Sequence, residues 1–210
     1  MSEVPSKVVM VVDDTEDILW TVKQILKSEN YGIIEASGGL ECLQKLYDAK
    51  KKPDLVLLDI MMEPMDGWVT LKTIKNDNKL KDIPVSMLTA LPPDEDVIGI
   101  KTIALIENYI VKPFTKKELL EKVRDVFAQK DQTEQEVKVL IDKSIPKVAE
   151  EYEHLVTEMT RRARIVESME KSKNISLASG KSADEVIRAQ KEMIKAMEKR
   201  VNLIKEKYGV

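Results

Sequence analysis

A single cysteine, Cys42, in 210 residues excludes an intrachain disulfide framework and a cysteine-based zinc site. Such cysteine usage fits a reducing compartment, so the cytoplasm is the expected location. Histidine is as scarce: His154 stands alone, which removes Cys–His and Ser–His nucleophile arrangements from the first half of the chain. Aromatic residues make up 4%, and Tyr152 and Tyr208 are the only ones after residue 129, too few for a base-stacking platform there. Long apolar runs are missing as well. The polar start from Met1 to Lys7 is followed only by Val8–Val12, far short of a signal peptide or a membrane span, so a soluble protein with no membrane partner is expected. The net charge of −3 divides unevenly, with an acidic excess up to about residue 129 and a slight basic excess beyond it. Neither part is as basic as a dedicated nucleic-acid binder.

What is present falls into two parts. Up to residue 129, short β-rich runs alternate with amphipathic stretches, the mark of βαβ units around a parallel sheet. Val8–Val12, Tyr31–Glu35, Leu55–Leu58, Val85–Leu88 and Tyr109–Val111 are predicted strands, with helices near 15–28, 38–49, 67–77, 93–105 and 115–129. The last of these opens on Thr115-Lys116-Lys117-Glu118, a capping box. Five strands and five helices in this order suit an α/β doubly wound, flavodoxin-like sheet of strand order 2-1-3-4-5, whose ligand sites lie beyond the carboxyl ends of the strands.

Residues 130–210 read as all-α. A short helix is expected at 132–143, before Pro146. From Lys147 to about Lys171 runs a heptad stripe of Tyr152, Met159 and Val166 with Val148, Leu155 and Met169, interrupted by one polar residue, Arg162. Ser179-Gly180 breaks the pattern, and a second capping box, Ser182 to Glu185, starts a helix whose stripe is Ile187, Ile194, Met197, Val201, Ile204 and Tyr208. Helices at 147–172 and 183–208 would form an antiparallel hairpin or coiled coil, too thin to bury both stripes and so expected to pack on the first domain or on another copy.

The chemistry lies at the predicted strand ends. Asp13 and Asp14 follow the first strand, Asp59 the third, Thr89 ends the fourth and Lys112-Pro113 the fifth. These ends share one edge of a parallel sheet. Three carboxylates converging there need a cation, and an all-oxygen, partly hydrated site suits Mg²⁺. The cation and Lys112 would neutralise a phosphoryl group, and Thr89 would donate a hydroxyl to it. The reaction this supports is phosphoryl transfer to Asp59 as nucleophile. No general base is required, because a carboxylate is already ionised at neutral pH.

The pieces Val11-Val12-Asp13-Asp14, Leu57-Leu58-Asp59-Ile60-Met61-Met62, Met65-Asp66-Gly67, Leu88-Thr89-Ala90 and Val111-Lys112-Pro113-Phe114 resemble the receiver domain of response regulators, the CheY family, over about residues 5–128. The resemblance implies a histidine kinase as phosphate donor, Mg²⁺ dependence, and switching through Thr89 and an inward-turning Tyr109. It also implies that Asp14 and Asp59 touch the metal directly, Asp13 through water, and that the Met61 carbonyl is a further ligand. Met61 and Leu91 would flank the path of attacking water, and two apolar side chains there imply slow loss of the phosphoryl group. One departure stands out: the family's proline four residues after the phosphorylated aspartate is replaced by Glu63, with Pro64 next, which implies a changed turn with the site kept.

The reading is therefore a response regulator, a phosphoacceptor rather than a turnover enzyme, made of a receiver at 1–129 and a helical output region at 130–210. Its output would be contact with a downstream protein or with a second copy in a homodimer. The alternative is a DNA-binding regulator presenting Arg161, Arg162 and Arg164 from the tail. His154 lacks the flanking residues of a phosphotransfer histidine and is read as a solvated helix residue. An aspartyl-phosphate hydrolase would need a second aspartate two residues after the nucleophile, where this chain has Met61.

Overall fold

The computed structural model describes residues 7–90, 104–175 and 181–210. The first unit is a five-stranded parallel sheet of order β2-β1-β3-β4-β5. Its strands are β1 (Val8–Val12), β2 (Gly32–Ala36), β3 (Leu55–Leu58), β4 (Val85–Thr89) and β5 (Asn108–Val111), joined through α1 (Glu16–Lys27), α2 (Gly39–Asp48) and α3 (Gly67–Asn76). Each strand lies within a residue of its predicted place. The helix expected near 93–105 falls outside the described residues except for 104 and 105, which form a turn.

The central strands are apolar on both faces, as a covered parallel sheet requires: Val9–Val12 and Leu55–Leu58 are all buried. Helices add one stripe each, Leu19, Val22 and Leu26 from α1 and Leu71 and Ile74 from α3, at the spacings of three and four that share a helix face. The ends of α1 are chemically marked. Glu16 and Asp17 sit in its first turn, where the helix dipole favours anions, and Lys27 in its last. Asn30, at φ 59°, then reverses the chain, with its N–H on the Lys27 carbonyl and that of Tyr31 on Leu26.

Gly67 is required by close approach. A Cβ there would lie 2.0 Å from the Asp59 carbonyl oxygen. Asp66 caps α3 through a 2.8 Å bond from the Val69 N–H.

The second unit begins at Glu121, so the division falls inside one helix, α4 (Lys116–Asp142), and the boundary expected at 129/130 lies further along that same helix. The predicted capping box is formed: the Thr115 N–H donates to Glu118 Oε2 at 2.7 Å, and the Glu118 N–H to Thr115 Oγ1 at 3.2 Å. Contrary to expectation, no break separates 115–129 from 132–143. Residues 116–142 contain neither proline nor glycine, and the polar Thr133 is satisfied within the helix by donating to the Gln129 carbonyl at 2.8 Å.

α5 (Pro146–Ile175) and α6 (Lys181–Tyr208) form the antiparallel pair the stripes predicted. The turn before α5 is a Schellman arrangement: Ser144 at φ 60° donates to Ile141, Ile145 donates to Leu140, and Pro146 opens the next helix. The expectation that the hairpin must seek cover outside its own region is corrected. The second half of α4 supplies it, with Leu140 joining Ala149, Tyr152, Val156, Val201 and Ile204 in one apolar cluster. A third helix closes the core because the 27-residue α4 reaches far enough to lie along the pair. The Ser182 side chain of the second expected capping box lies outside the described residues, and Glu185 is exposed.

Candidate phosphoacceptor site

The strand order reverses between β1 and β3, since β2 lies on one side of β1 while β3, β4 and β5 follow on the other. Such switch points form crevices at the carboxyl ends of strands. Asp13 and Asp59 leave these two neighbouring strands with their backbones still in the ladder, Asp13 N–H on the Ala36 carbonyl at 3.1 Å and Asp59 N–H on that of Val12 at 2.9 Å. The fold itself therefore fixes where both carboxylates emerge.

Asp13, Asp14 and Asp59 offer carboxylate oxygens that all lie within 4.8 Å of one another, with Asp13 and Asp59 buried and Asp14 exposed. Lys112 reaches in from the end of β5. Its Nζ donates to Asp13 Oδ2 at 2.6 Å and to Asp59 Oδ1 at 3.1 Å. Its own N–H donates to the Thr89 carbonyl at 2.7 Å, which ties the ends of β4 and β5 together at the site. The remaining carboxylate oxygens are held locally: Asp13 Oδ1 accepts the Thr15 N–H at 3.0 Å, and Asp59 Oδ2 accepts the Met61 N–H at 3.1 Å.

The electrostatics are those of an acidic pocket short of cations. Burial pushes the Asp59 carboxyl above its ordinary range; the Lys112 ammonium opposes this, and the neighbouring Asp13 charge adds to it. One ammonium against three carboxylates leaves a deficit that a hard divalent cation with oxygen ligands would fill. The donor set therefore fits Mg²⁺. Met61, the fourth residue expected to act as a ligand, is anchored to Asp59 through its backbone, while its side chain is 59% exposed.

Thr89 and Tyr109 are both buried, Thr89 fully and Tyr109 at 1% exposure, one on each of the paired strands β4 and β5. An inward Tyr109 is thus what the structure contains. Around Glu63-Pro64 the loop closes on Ile60, whose carbonyl accepts from Met62 at 3.2 Å and from Gly67 at 2.9 Å. Leu91 lies outside the described residues.

The arginines of the alternative reading are engaged within the chain. Arg162 is buried, donating to Glu158 Oε2 at 3.2 and 2.9 Å and to Gln190 Oε1 at 2.7 Å. Arg161 donates to the Ala104 carbonyl at 3.3 Å and Arg164 to that of Asp125 at 2.6 Å. His154 is exposed, as expected.

A polar group that sequence reading missed is Glu136, which accepts from Tyr152 Oη at 2.8 Å and from Lys205 Nζ at 2.9 Å and so joins all three helices of the second unit. Its only sequence signal is a place one turn before Leu140 on the same face.

A doubly wound parallel sheet with a lysine-bridged carboxylate cluster at its switch point defines an α/β protein of the receiver class. The chain belongs to the response regulator receiver domain family, whose model matches residues 9–124. It is 36% identical over 112 residues to protein PilG of Pseudomonas aeruginosa, covering 53% of this chain and 81% of that one. With the probable transcriptional regulator ycf27 of Guillardia theta it shares 37% identity over 119 residues, 56% of this chain and 44% of that protein. The chain spans about half the length of the curated transcriptional regulators it matches. Among solved structures, chemotaxis response regulator CheY4 of Vibrio cholerae superposes with a TM-score of 0.52 at 28% identity, over 57% of this chain and 98% of that one. TrrA of Thermotoga maritima, solved in complex with Mg²⁺-BeF, gives a TM-score of 0.50 at 33% identity, over 57% and 98%. Among the described residues no helix is long and apolar enough to cross a membrane.

Proposed function

We propose that this response regulator accepts a phosphoryl group from a histidine kinase on Asp59, with Mg²⁺, and signals through its helical unit by protein–protein contact. The observation that carries the reading is Lys112 Nζ lying between Asp13 and Asp59, at 2.6 and 3.1 Å, inside a cluster of three carboxylates.

A carboxylate oxygen of Asp59 forms the new O–P bond while the P–N bond of the donor phosphohistidine breaks, and the electron pair of that bond stays with the departing imidazole. Asp13, Asp14 and Asp59 would hold the Mg²⁺ with the Met61 carbonyl, and when bound it supplies neutralisation of charge on the phosphoryl oxygens. Lys112 contributes a second positive charge from a fixed position, so little reorganisation is needed as charge develops. Thr89, at the end of β4, is placed to donate its hydroxyl to the transferred group, and buried Tyr109 to follow that movement. Phosphoryl loss is slow on this reading, since Met61 beside the nucleophile carries no group able to activate water. The protein is then a phosphoacceptor that catalyses its own modification, without turnover of an external substrate.

Incubation with acetyl phosphate and Mg²⁺, read by intact mass, tests this. The wild-type chain should gain one phosphoryl group and Asp59→Asn none; labelling of the Asp59→Asn chain, or none of the wild type, would overturn the assignment.

A further inference from the structure

α6 carries two parallel stripes, one packed into the helical unit and one on its flank that is partly open. Ile187, Gln190, Ile194, Met197, Val201, Ile204 and Tyr208 face the rest of the helical unit, and every one of them is buried or half-buried. One residue back along the helix, Val186, Ala189, Met193, Ala196, Arg200 and Leu203 repeat the same alternation of three and four. This second stripe is partly open: Leu203 is 57% exposed and Ala196 is exposed, Met193 is 40% exposed with its Sδ accepting from Arg162 at 3.8 Å, and Val186 and Ala189 are half-buried. At its end it runs into a shallow groove of about 390 Å³ floored by Val148, Ile204 and Tyr208 and rimmed by Arg200 and Lys207.

We infer that this outer stripe of α6 is a homodimer contact in which two copies of the helix pair antiparallel about a twofold axis. The proposal deepens the reading of the helical unit as the signalling element by naming its surface and its partner. Self-pairing is argued from the stripe itself. The spacing from Val186 to Leu203 reads the same in both directions, so an antiparallel copy meets it layer for layer over about 26 Å of helix. Met193 then faces the partner's Ala196, Leu203 faces the partner's Val186, and the Arg200 stem faces the partner's Ala189. The first and third of these layers set a large side chain against a small one, as close helix packing requires. The guanidinium of Arg200 is held away from the seam by its paired bonds to Glu151, at 2.7 and 2.8 Å. On the flank, exposed Glu192 comes opposite the partner's exposed Lys199, and by symmetry Lys199 opposite the partner's Glu192.

Sedimentation equilibrium of the full chain, from micromolar to hundreds of micromolar, tests the contact. A dimer is expected. Ala196→Glu with Leu203→Glu should weaken it about a hundred-fold or more, because each puts an unpaired charge into an apolar layer. Glu192→Lys alone should weaken it about three-fold to ten-fold, and adding Lys199→Glu should restore it. These positions are exposed, and circular dichroism of each variant checks that the helices persist. A monomeric wild type over the whole range, with and without beryllofluoride and Mg²⁺, overturns the inference. So does a dimer indifferent to the Ala196 and Leu203 changes, or a charge swap that fails to restore it. The mass assay of Asp59 is separate: phosphoryl uptake without a dimer sinks this contact alone, and a dimer without phosphoryl uptake sinks the phosphoacceptor reading alone.

Discussion

The two units use charge in opposite ways. In the sheet unit the neighbouring strands β1 and β3 are apolar throughout, and the ionic groups Asp13, Asp59 and Lys112 meet at the carboxyl ends of the strands. In the helical unit polar contacts are spread along the helices and tie them together, as Glu136 does with Tyr152 and Lys205, Glu151 with Arg200, and Arg162 with Glu158 and Gln190. The lesson concerns what an ionic group is for. Concentrated at strand ends, it leaves a surplus of negative charge of the kind a hard divalent cation fits. Distributed and paired across helices, it sets alignment and leaves little for chemistry.

Breaking the concentrated site should change reactivity far more than structure. Lys112→Ala is expected to lower the rate of phosphoryl acceptance by about a hundred-fold to a thousand-fold, as for removal of one fixed charge-stabilising donor. Time-resolved intact mass with acetyl phosphate measures it. A rate within a few-fold of wild type would mean the lysine is structural, like the ion pairs of the other unit.

Gly67→Ala attacks the same edge through packing. An added Cβ 2.0 Å from the Asp59 carbonyl oxygen has rigid backbone as its neighbour, so the loop or α3 must shift. A loss of about 1–3 kcal/mol, the range for overpacked interiors, is expected in urea unfolding, with phosphoryl acceptance reduced in parallel. Loss of stability with full acceptance would separate the frame from the site.

The smallest effect is expected in the helical unit. Tyr152→Phe keeps the buried ring and removes one bond to Glu136, so the cost should be about 1–2 kcal/mol, seen as a lower thermal midpoint. pH gives the complementary test. Burial of Glu136 favours its neutral form, but bonds from Lys205, Tyr152 and Gln132 outweigh this, and its carboxyl titrates below the ordinary value. A lowered folded-state value means that the contribution is present above the unfolded value of 4.5 and fades as pH falls through the folded one. The Tyr152→Phe penalty should therefore shrink under acid conditions. A penalty constant down to low pH would show that the ionised Glu136 is not the partner that matters.

Much of the site was legible in the chain because it is built from strand ends. Period-two and period-3.6 patterns locate the elements, parallel topology brings their carboxyl ends to one edge, and Asp13, Asp14, Asp59, Thr89 and Lys112 can be placed there before any coordinates exist. The continuity of α4 was not legible. Gln132 to Lys143 carries its own amphipathic pattern and looks like a separate short helix, and only the absence of a breaker between the two stretches argues otherwise. Arg162, one polar residue in an apolar stripe, could equally have been a surface cation or a buried partner. Its answer depended on Gln190, 28 residues away.

Local periodicity and short connections were enough to locate the five strands, the strand-end residues and the antiparallel pairing of α5 with α6. Only the tertiary structure decided that Lys112 sits nearer Asp13 than Asp59, that a third helix completes the helical core, and that Glu136 joins all three helices. Those facts depend on distances between side chains far apart in the chain, which no local pattern encodes.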